Sequence, residues 1–416
     1  MPVAIVLADA VLTNDLESLL WVTLVAAGIP ILVGFLNLRV AEIVFLIGFG
    51  ILLGPQILNK VDLTDSVSLL ADIGLGFLFF FAGYELDRAV LKGTTGKLAG
   101  IGWIASVILS IIAVEILYSV GLIQDTLGVA IALTSTALGT LLPVIRDSGR
   151  LDSVFGRSFM AAGAIGEFGP IVAISLLLGT RSSWLSLLVL VAFFIIAAII
   201  AFLPSRFRSN RLFAIIERGH STSAQTAVRI VILLLVGLLA LASAFGLDLV
   251  LGAFAAGIIV RLYVPHGSIP VVEHKLEAIA FGFFIPLFFV ITGVKLDIQS
   301  IIENPGRLLI FFLLLAIVRG LPQFFIYRKA VPHWRPRAEL SLYIATALPI
   351  IVAVTTVQVD AGIMLPENAA ALVGAGALSV LVFPLVASRL TRKETDSDAQ
   401  STDSVESNAG GNPSIE

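Results

Sequence analysis

The sequence contains no cysteine, and charged residues make up only 13% of its 416 positions. The absence of cysteine excludes disulfides, thiol catalysis and cysteine-ligated metal sites. The four histidines, His220, His266, His274 and His333, all fall in polar connecting stretches and lack the spacing of metal ligands. No Walker-type, GxSxG or HExxH pattern occurs. The sequence therefore predicts neither an enzyme nor a bound cofactor.

What the sequence has in abundance is apolar residues, at 58% of the chain and a mean hydropathy of +1.04. This composition predicts an all-α polytopic membrane protein that lies in a lipid bilayer. The net charge of −3, spread over short loops, predicts no nucleic-acid partner. Windows of about 17–25 apolar residues indicate about 13 transmembrane helices, at 17–38, 41–58, 67–86, 97–119, 127–146, 156–179, 184–204, 224–244, 247–264, 276–294, 307–328, 338–359 and 367–390.

The distribution of basic residues predicts how the chain is oriented. Loops on one side carry 20 Lys and Arg residues, and loops on the other side carry four. By the positive-inside rule, the N-terminus lies outside and the C-terminus in the cytoplasm of the cell's inner membrane. Residues 1–392 then form the transmembrane domain. Residues 393–416 are polar and acidic, which predicts a disordered cytoplasmic tail with no soluble regulatory domain.

The charged residue of most interest is Glu167, at the middle of the sixth predicted span. A carboxylate there costs several kcal/mol unless water, a cation, a proton or a basic partner meets it. Gly163, Gly166 and Gly169 offer close backbone approach, and Pro170 releases the carbonyl of Gly166 from its helical hydrogen bond. A dehydrated cation could bind this carboxylate and carbonyl. The alternative is a Glu satisfied by a neighbouring helix, with no ion involved.

Hydroxyl groups cluster in the fifth predicted span, just before this carboxylate. Thr134, Ser135 and Thr136 follow one another, and Pro143 would free the carbonyl of Gly139. Both spans therefore look interrupted at mid-membrane. We expect Ser135 and Thr136 to join Glu167 and Gly166 in an ion- and proton-binding site.

The two halves of the chain match at one constant offset of 210 residues. This offset covers seven predicted helices, an odd number, so matching helices point in opposite directions. Inverted repeats with broken helices that meet near the midplane are typical of secondary transporters. The repeat pairs the fifth span with the twelfth, which places Thr346 where Thr136 sits and uses Pro349 to free the carbonyl of Ala345. The matches are Gly83, Leu86 and Asp87 with Gly293, Leu296 and Asp297; Thr136–Leu138 with Thr346–Leu348; and Pro55 with Pro265.

Arg319 is the only basic residue near the middle of a predicted span. Because it stays protonated, it needs a carboxylate, carbonyls or water. We expect it to be the charge partner of Glu167; the alternative is a structural cation that stabilises helix C-termini. The remaining charges within spans are predicted to be interfacial: Glu42, Glu85, Glu115 and Arg229.

Five segments together carry a family resemblance over nearly the whole chain. They are AEIVFLIGFGILLGP, FLFFFAGYELD, LTSTALGTLLPVI followed by a Gly-rich span with a central acid, PLFFVITGVKLD, and the basic residue in the eleventh span. In order and spacing they resemble bacterial monovalent cation:proton antiporters of the second subfamily, which are sodium/hydrogen exchanger-like. The resemblance implies a homodimer in which spans 1–3 and 8–10 form a scaffold. Spans 4–6 and 11–13 would form a core that carries the site in an elevator-like movement.

By the same resemblance, Glu167 takes the place of the essential ion-binding Asp, and Arg319 that of the basic residue opposite it. The family usually has Asp where this chain has Glu167, and Asp, Asn or Gln where it has Gly166. The implied function is exchange of Na⁺ or K⁺ for H⁺. We expect this exchange to be electroneutral, since Glu167 is the one obvious titratable carrier. The alternatives are a cation-coupled symporter of a small organic anion, with Arg319 binding the substrate carboxylate, and a channel-like or sensory membrane protein.

Overall fold

A computed structural model describes residues 2–35, 42–85, 93–177, 183–206, 225–263 and 269–409, and these residues are helical apart from their connections. The first half contains α1 (Pro2–Phe35), α2 (Glu42–Leu53), α3 (Asp65–Tyr84), α4 (Gly93–Ser119), α5 (Thr126–Leu133), α6 (Leu138–Asp147), α7 (Val154–Leu177) and α8 (Ser183–Arg206).

The second half begins with α9 (Thr226–Ala244) and α10 (Leu249–Tyr263). Two of its spans contain a π-helical turn. Their parts are α11 (Ile269–Ile279), a π turn (Ala280–Phe284) and α12 (Ile285–Lys295), then, after the short α13 (Ile298–Glu303), α14 (Pro305–Leu314), a π turn (Leu315–Gly320) and α15 (Leu321–Ile326). The remaining helices are α16 (Trp334–Ala345), α17 (Pro349–Asp360) and α18 (Pro366–Ala409). Leu86, Asp87, His220, Pro265 and His266 lie outside the described residues.

The predicted all-α membrane architecture is confirmed. Within the described ranges, eight helices are long and apolar enough to cross a membrane, and shorter apolar helices accompany them. The number of thirteen spans stays a prediction. The composition predicts a disordered tail from residue 393 onward. Helix α18 instead continues through most of this segment and ends at Ala409. The division into a transmembrane domain with scaffold and core spans also stays a prediction.

The two broken helices predicted from the repeat are present. Helix α5 ends at Leu133 and α6 begins at Leu138, while α16 ends at Ala345 and α17 begins at Pro349. Pro349 can begin α17 because the first helical position needs no N–H donor. Each interruption therefore leaves helix ends inside the protein, where side chains must satisfy the exposed N–H and C=O groups.

Two matched glycines show that the repeat is real in three dimensions. Gly83 of α3 packs against the backbone of Phe254 in α10, and a Cβ at this position would overlap the Phe254 carbonyl. Gly293 of α12, 210 residues later, packs in the same way against the carbonyl of Ile47 in α2. Because small residues let helix backbones approach closely in lipid, these glycines fix the α3–α10 and α2–α12 pairs. The repeat relates α3 to the span that contains α12 and α2 to α10, so the two helix pairs are equivalent in the two halves.

Buried apolar side chains form two clusters. The larger one includes α2, α3 and α9–α12 and continues into the inner faces of the broken helices. The smaller one joins α6, α7, α15 and α16 around Phe159, Tyr327 and Tyr343. Between these clusters lie the interrupted segments 134–137 and 346–348, which contain the buried hydroxyl groups of Thr134, Ser135, Thr136 and Thr346.

Candidate functional site

The interrupted segments of the two broken helices bond directly to each other. Ala137 N donates to Thr346 O at 2.8 Å. Thr136 N donates to Gly166 O at 3.1 Å, so the carbonyl that Pro170 releases accepts a hydrogen bond from the protein. The predicted crossing therefore exists, and helix α7 is bonded to it at the residue before Glu167.

Glu167 is buried against the N-terminal end of α6, with 7% of its surface exposed. Its Oε1 accepts a hydrogen bond from Leu138 N at 2.9 Å, and the N–H of Gly139 also bonds to the carboxylate. The first N–H groups of a helix have no intrahelical acceptor, and the helix dipole places positive potential there. The broken helix therefore provides an anion site for Glu167, although a single carboxylate is still held in a largely apolar surrounding.

Thr136 links four parts of the site through one residue. Its hydroxyl donates to Ile344 O near the C-terminal end of α16 at 2.7 Å and accepts from Arg319 Nε at 2.9 Å. Together with the bond from its N–H to Gly166, these contacts join the first crossing segment to α7, α16 and the π turn of Arg319. Thr136 was predicted as an ion ligand, but its hydroxyl is occupied by protein partners in this structure.

Arg319 is fully buried in the π turn between α14 and α15. Besides Thr136, it donates from Nη2 to Ala162 O at 2.8 Å and from Nη1 to Ser106 Oγ at 3.5 Å. The expected ion pair between Arg319 and Glu167 is wrong for this structure, because Arg319 bonds only to these uncharged oxygens. Glu167 turns instead toward α6. The alternative, a cation near the C-terminal end of a half-helix, describes Arg319 better.

Gly166 is the residue that makes room for this arrangement. A Cβ at position 166 would overlap Arg319 Nη2 and the Thr136 hydroxyl. The side chain of a residue such as Asp or Asn would occupy the volume that the guanidinium fills. Arg319 can therefore occupy its position only because residue 166 is a glycine, where the resemblance leads us to expect Asp, Asn or Gln.

The other predicted hydroxyl ligands cap helix ends. Ser135 Oγ donates to Ala132 O at 2.7 Å, and Thr346 Oγ1 donates to Leu342 O at 3.0 Å. Both residues are fully buried. Each hydroxyl thus bonds to a carbonyl near the C-terminal end of a half-helix, and its oxygen keeps lone pairs that could face an ion. The structure brings the six predicted residues Glu167, Gly166, Ser135, Thr136, Thr346 and Arg319 to the crossing, without a direct contact between the two charges.

A cavity of about 490 Å³ opens beside the site. Glu85, at the end of α3, lines it together with Leu142 of α6 and Met160 of α7. Glu85 Oε2 is buried and has no hydrogen-bond partner, and the interfacial position predicted for Glu85 stays a prediction. Glu42, Glu115 and Arg229, the other three charges predicted to be interfacial, are exposed, and their position at the interface stays a prediction. The remaining lining residues are Tyr84, Arg146, Leu151, Asp152, Arg157, Arg261 and Glu273.

A second, smaller pocket of about 90 Å³ lies at the repeat-related position. Four of its lining residues are the 210-residue counterparts of residues that line the large cavity. These pairs are Lys295 with Glu85, Val352 with Leu142, Thr356 with Arg146 and Ala370 with Met160. The two halves therefore enclose matching spaces of unequal size, on opposite sides of the crossing.

Two polar contacts hold the connections between helices in place. Arg150 and Glu339 form an ion pair at 2.8 Å, which joins the segment between α6 and α7 to α16. Asp297 caps α13, and its hydrogen bonds, chiefly that from the Ser300 hydroxyl, hold its pKa below the ordinary value of 3.8. Charge on these polar connections is thus satisfied by local partners.

Sequence reasoning missed Ser106, Leu138 and Ala162, each of which contacts one of the two buried charges. Leu138 and Ala162 contribute backbone groups, which no residue type reveals. Ser106 carried a usable signal, since Ser106 and Ser110 stand four residues apart in an otherwise apolar span and so share one helix face.

A buried carboxylate at the crossing of two interrupted helices, inside an inverted repeat, defines the class of secondary transporters. The chain belongs to the family described as "Sodium/hydrogen exchanger, transmembrane", whose model matches residues 22–393.

Individual relatives agree with this family. The chain is 24% identical over 410 residues to the Bacillus subtilis protein named "Putative Na(+)/H(+) antiporter YjbQ", covering 94% of this chain and 65% of that protein. It is also 24% identical over 399 residues to the Escherichia coli glutathione-regulated potassium-efflux system protein KefC, covering 94% of this chain and 63% of KefC. The chain thus spans slightly less than two thirds of the length of these relatives.

A solved structure shares the fold. The sodium proton antiporter MjNhaP1 from Methanocaldococcus jannaschii superposes with a TM-score of 0.62 at 16% identity, covering 91% of this chain and 97% of that one. The predicted family and fold class are confirmed. The chain is a multi-pass membrane protein of an antiporter family, and its relatives are transporters and not enzymes.

Proposed function

We propose that this protein is a secondary transporter that exchanges a monovalent cation, Na⁺ or K⁺, for H⁺. The observation that carries the proposal is the buried Glu167 carboxylate, which bonds to the N-terminal end of a broken half-helix and has no basic partner within ion-pair distance. A proton or a cation would supply the missing compensation. The names of the relatives, a Na⁺/H⁺ antiporter and a potassium-efflux system, agree with this chemistry.

The mechanism follows from competition for one carboxylate. Protonated Glu167 is neutral, and cation-bound Glu167 is neutral as a pair, so either form can cross an apolar barrier, whereas the bare carboxylate cannot. The crossing segments would move with Glu167 past α2, α3 and α9–α12 in an elevator-like step. The hydroxyls of Ser135 and Thr346 and the carbonyl of Gly166 are oxygens at the crossing that a hard cation could use, and the Thr136 hydroxyl would have to exchange a protein partner for the ion.

The alternative of a cation-coupled symporter gains no support from Arg319. Nε, Nη1 and Nη2 each donate to a protein oxygen, and the side chain is fully buried. A substrate carboxylate would have to displace these bonds. The arginine serves better as a fixed positive charge at the end of α16.

The proposal extends to assembly and orientation. The protein would form a homodimer in the inner membrane, with its N-terminus outside and its C-terminus in the cytoplasm, as the count of basic residues predicts. The large cavity, which Arg146, Arg157 and Arg261 line, would then open toward the cytoplasm. Exchange would be electroneutral, since one carboxylate that carries either one proton or one monovalent cation moves the same net charge in both directions.

The test uses Glu167→Gln, which keeps the size of the side chain and removes its titration. In everted vesicles that contain a pH-sensitive dye, Na⁺ or K⁺ should dissipate the proton gradient with the wild type and not with the variant. Glu115→Gln is the matched control, because Glu115 is an exposed residue of α4, and it should keep wild-type exchange.

Proteoliposomes with an imposed potential test the stoichiometry. The potential is worth about 2.3 kcal/mol per charge per 100 mV, so an electroneutral cycle should run at one rate with or without it. Wild-type rates in Glu167→Gln would refute the carrier role of this residue. A cation-dependent current would refute electroneutrality.

A further inference from the structure

Glu85 is the one carboxylate of the cavity that reaches the crossing. It lies at the end of α3, in the part of the protein that packs against α10, and its Oε2 is buried without a partner. The position of a Cβ on Gly139 would be only 3.9 Å from this oxygen, and the N–H of Gly139 bonds to Glu167. Gly139 thus separates two carboxylates, and their negative charges act on each other.

We propose that Glu85 is a cation-loading residue that attracts the ion from the cavity and holds it beside Glu167 before exchange. The inference rests on the proposed cation/proton antiport and adds a second residue to the cation pathway. A cation between two carboxylates gains attraction from both, and removing water from the pair strengthens that attraction. The unpartnered Oε2 is the oxygen that such a cation would contact.

The surrounding charges leave this role open to Glu85. The positive charges of Arg146 and Arg261 stabilise the Glu85 carboxylate, and the negative charges of Glu273 and Glu277 destabilise it. Glu167 lies on the other side of Gly139. None of these groups forms an ion pair with Glu85 within 4 Å in the described parts of the chain. Basic and acidic side chains thus both line the cavity, and the Glu85 carboxylate lies beside Gly139 of the half-helix that holds Glu167.

The repeat gives this proposal a direction. At the matching position in the second half the chain has Lys295, which lines the smaller pocket. The matched position is therefore a carboxylate in the large cavity and an ammonium in the smaller pocket, where Asp297 and Asp360 are the other charged lining residues. Since a positive charge repels an incoming cation, Lys295 cannot load a cation as Glu85 would, and the effect of Glu85 should be confined to the side of the large cavity.

The experiment compares the two faces with the full-length protein. Half-saturating Na⁺ and K⁺ concentrations are measured in everted vesicles, where the cavity side is offered the cation, and in right-side-out vesicles. Glu85→Gln should raise the half-saturating concentration by about tenfold on the cavity side, the effect of one nearby charge, and by less than twofold on the other. Glu115→Gln should change neither value, and Glu85→Asp should recover most of the cavity-side affinity.

Equal shifts on both faces, or no shift, would overturn the inference. If Glu85→Gln does not fold, Lys295→Glu provides a second test, because a carboxylate at the matched position, added to those of Asp297 and Asp360, should lower the half-saturating concentration from that side only. An unchanged value would refute the proposal.

Direct binding separates this inference from the proposed antiport. Radioactive Na⁺ and Rb⁺ binding to the purified protein does not depend on proton exchange. If the wild type shows no exchange and Glu85→Gln still binds Na⁺ or Rb⁺ about tenfold more weakly than the wild type, the loading site is supported and antiport is refuted. Unchanged binding would refute the loading site.

Discussion

Replacing Thr136 with Val tests whether this hydroxyl holds the crossing together. Valine has nearly the same shape, but it can neither accept from Arg319 Nε nor donate to Ile344 O. A buried hydrogen bond to a charged group contributes about 1.5–3 kcal/mol, and a buried carbonyl left without a partner costs about 1–3 kcal/mol. We therefore expect Thr136→Val to lower the stability of the folded protein by about 3–5 kcal/mol.

The assay is thermal unfolding of the protein in detergent. With about 2.1 cal/mol/K of unfolding entropy per residue, the 416-residue chain should lose about 5 °C in Tm for a loss of 4 kcal/mol. Thr136→Ser keeps the hydroxyl and should lose much less. Thr355→Val is the matched control in the second half, because its buried hydroxyl donates only to Val352 O within α17.

The comparison between these two valine variants decides the question. Equal Tm values for Thr136→Val and Thr355→Val would refute the reasoning, because the Arg319 contact would then contribute nothing that a helix-internal hydroxyl does not. A lower Tm in Thr136→Val alone would support it. The same result would show that Thr136 acts by holding Arg319 in position, beyond any contact with a transported ion.

Two further predictions follow from named contacts. Gly166→Ala should impair both stability and exchange, because a Cβ at position 166 overlaps Arg319 and Thr136. Gly100→Ala should be tolerated, because a Cβ at position 100 meets nothing within 4 Å. Equal Tm values and exchange rates in the two variants would contradict this. Asp297→Ala should lower Tm at pH 7, because the lowered pKa of Asp297 means that its stabilisation is present above the ordinary value of 3.8 and is lost as the pH falls through the lower, folded value. The difference from wild type should therefore shrink as Tm is measured toward pH 3, and a difference that does not depend on pH would refute the role of the charge.

The sequence predicted the parts of the site that depend on residue type and chain direction. A carboxylate in an apolar span, prolines that interrupt helices and a constant offset between halves are local or periodic signals. They were enough to predict the crossing of the segments around Thr136 and Thr346, which Ala137 and Thr346 complete with a backbone bond. Lipid allows few ways to satisfy backbone groups, so these signals carry unusual weight in a membrane protein.

The sequence could not predict which partner each charge chooses. Glu167 and Arg319 carry opposite charges, yet each finds backbone partners that residue types do not encode, at Leu138 N and at Ala162 O. The closeness of Glu85 to Gly139 could not be predicted either, because the distance of Glu85 from a span end says nothing about the neighbouring helix. The position of α6 against α3 is a property of the packed structure, and only that packing brings Glu85 beside Gly139.

The separation of Glu167 and Arg319 has a physical logic that a direct ion pair would lack. A carboxylate bonded to arginine would already be compensated, so it would have less need of a proton or a cation. Here the carboxylate is stabilised only by N–H groups at the N-terminal end of α6, while Arg319 interacts with Thr136, which bonds to the C-terminal side of the crossing at Ile344. The two charges thus offset opposite helix ends without neutralising each other. Under the proposed antiport, Glu167 is left as a carboxylate that a proton or a cation can neutralise, and Gly166, which admits the guanidinium beside Thr136, is the residue that permits this separation of charges.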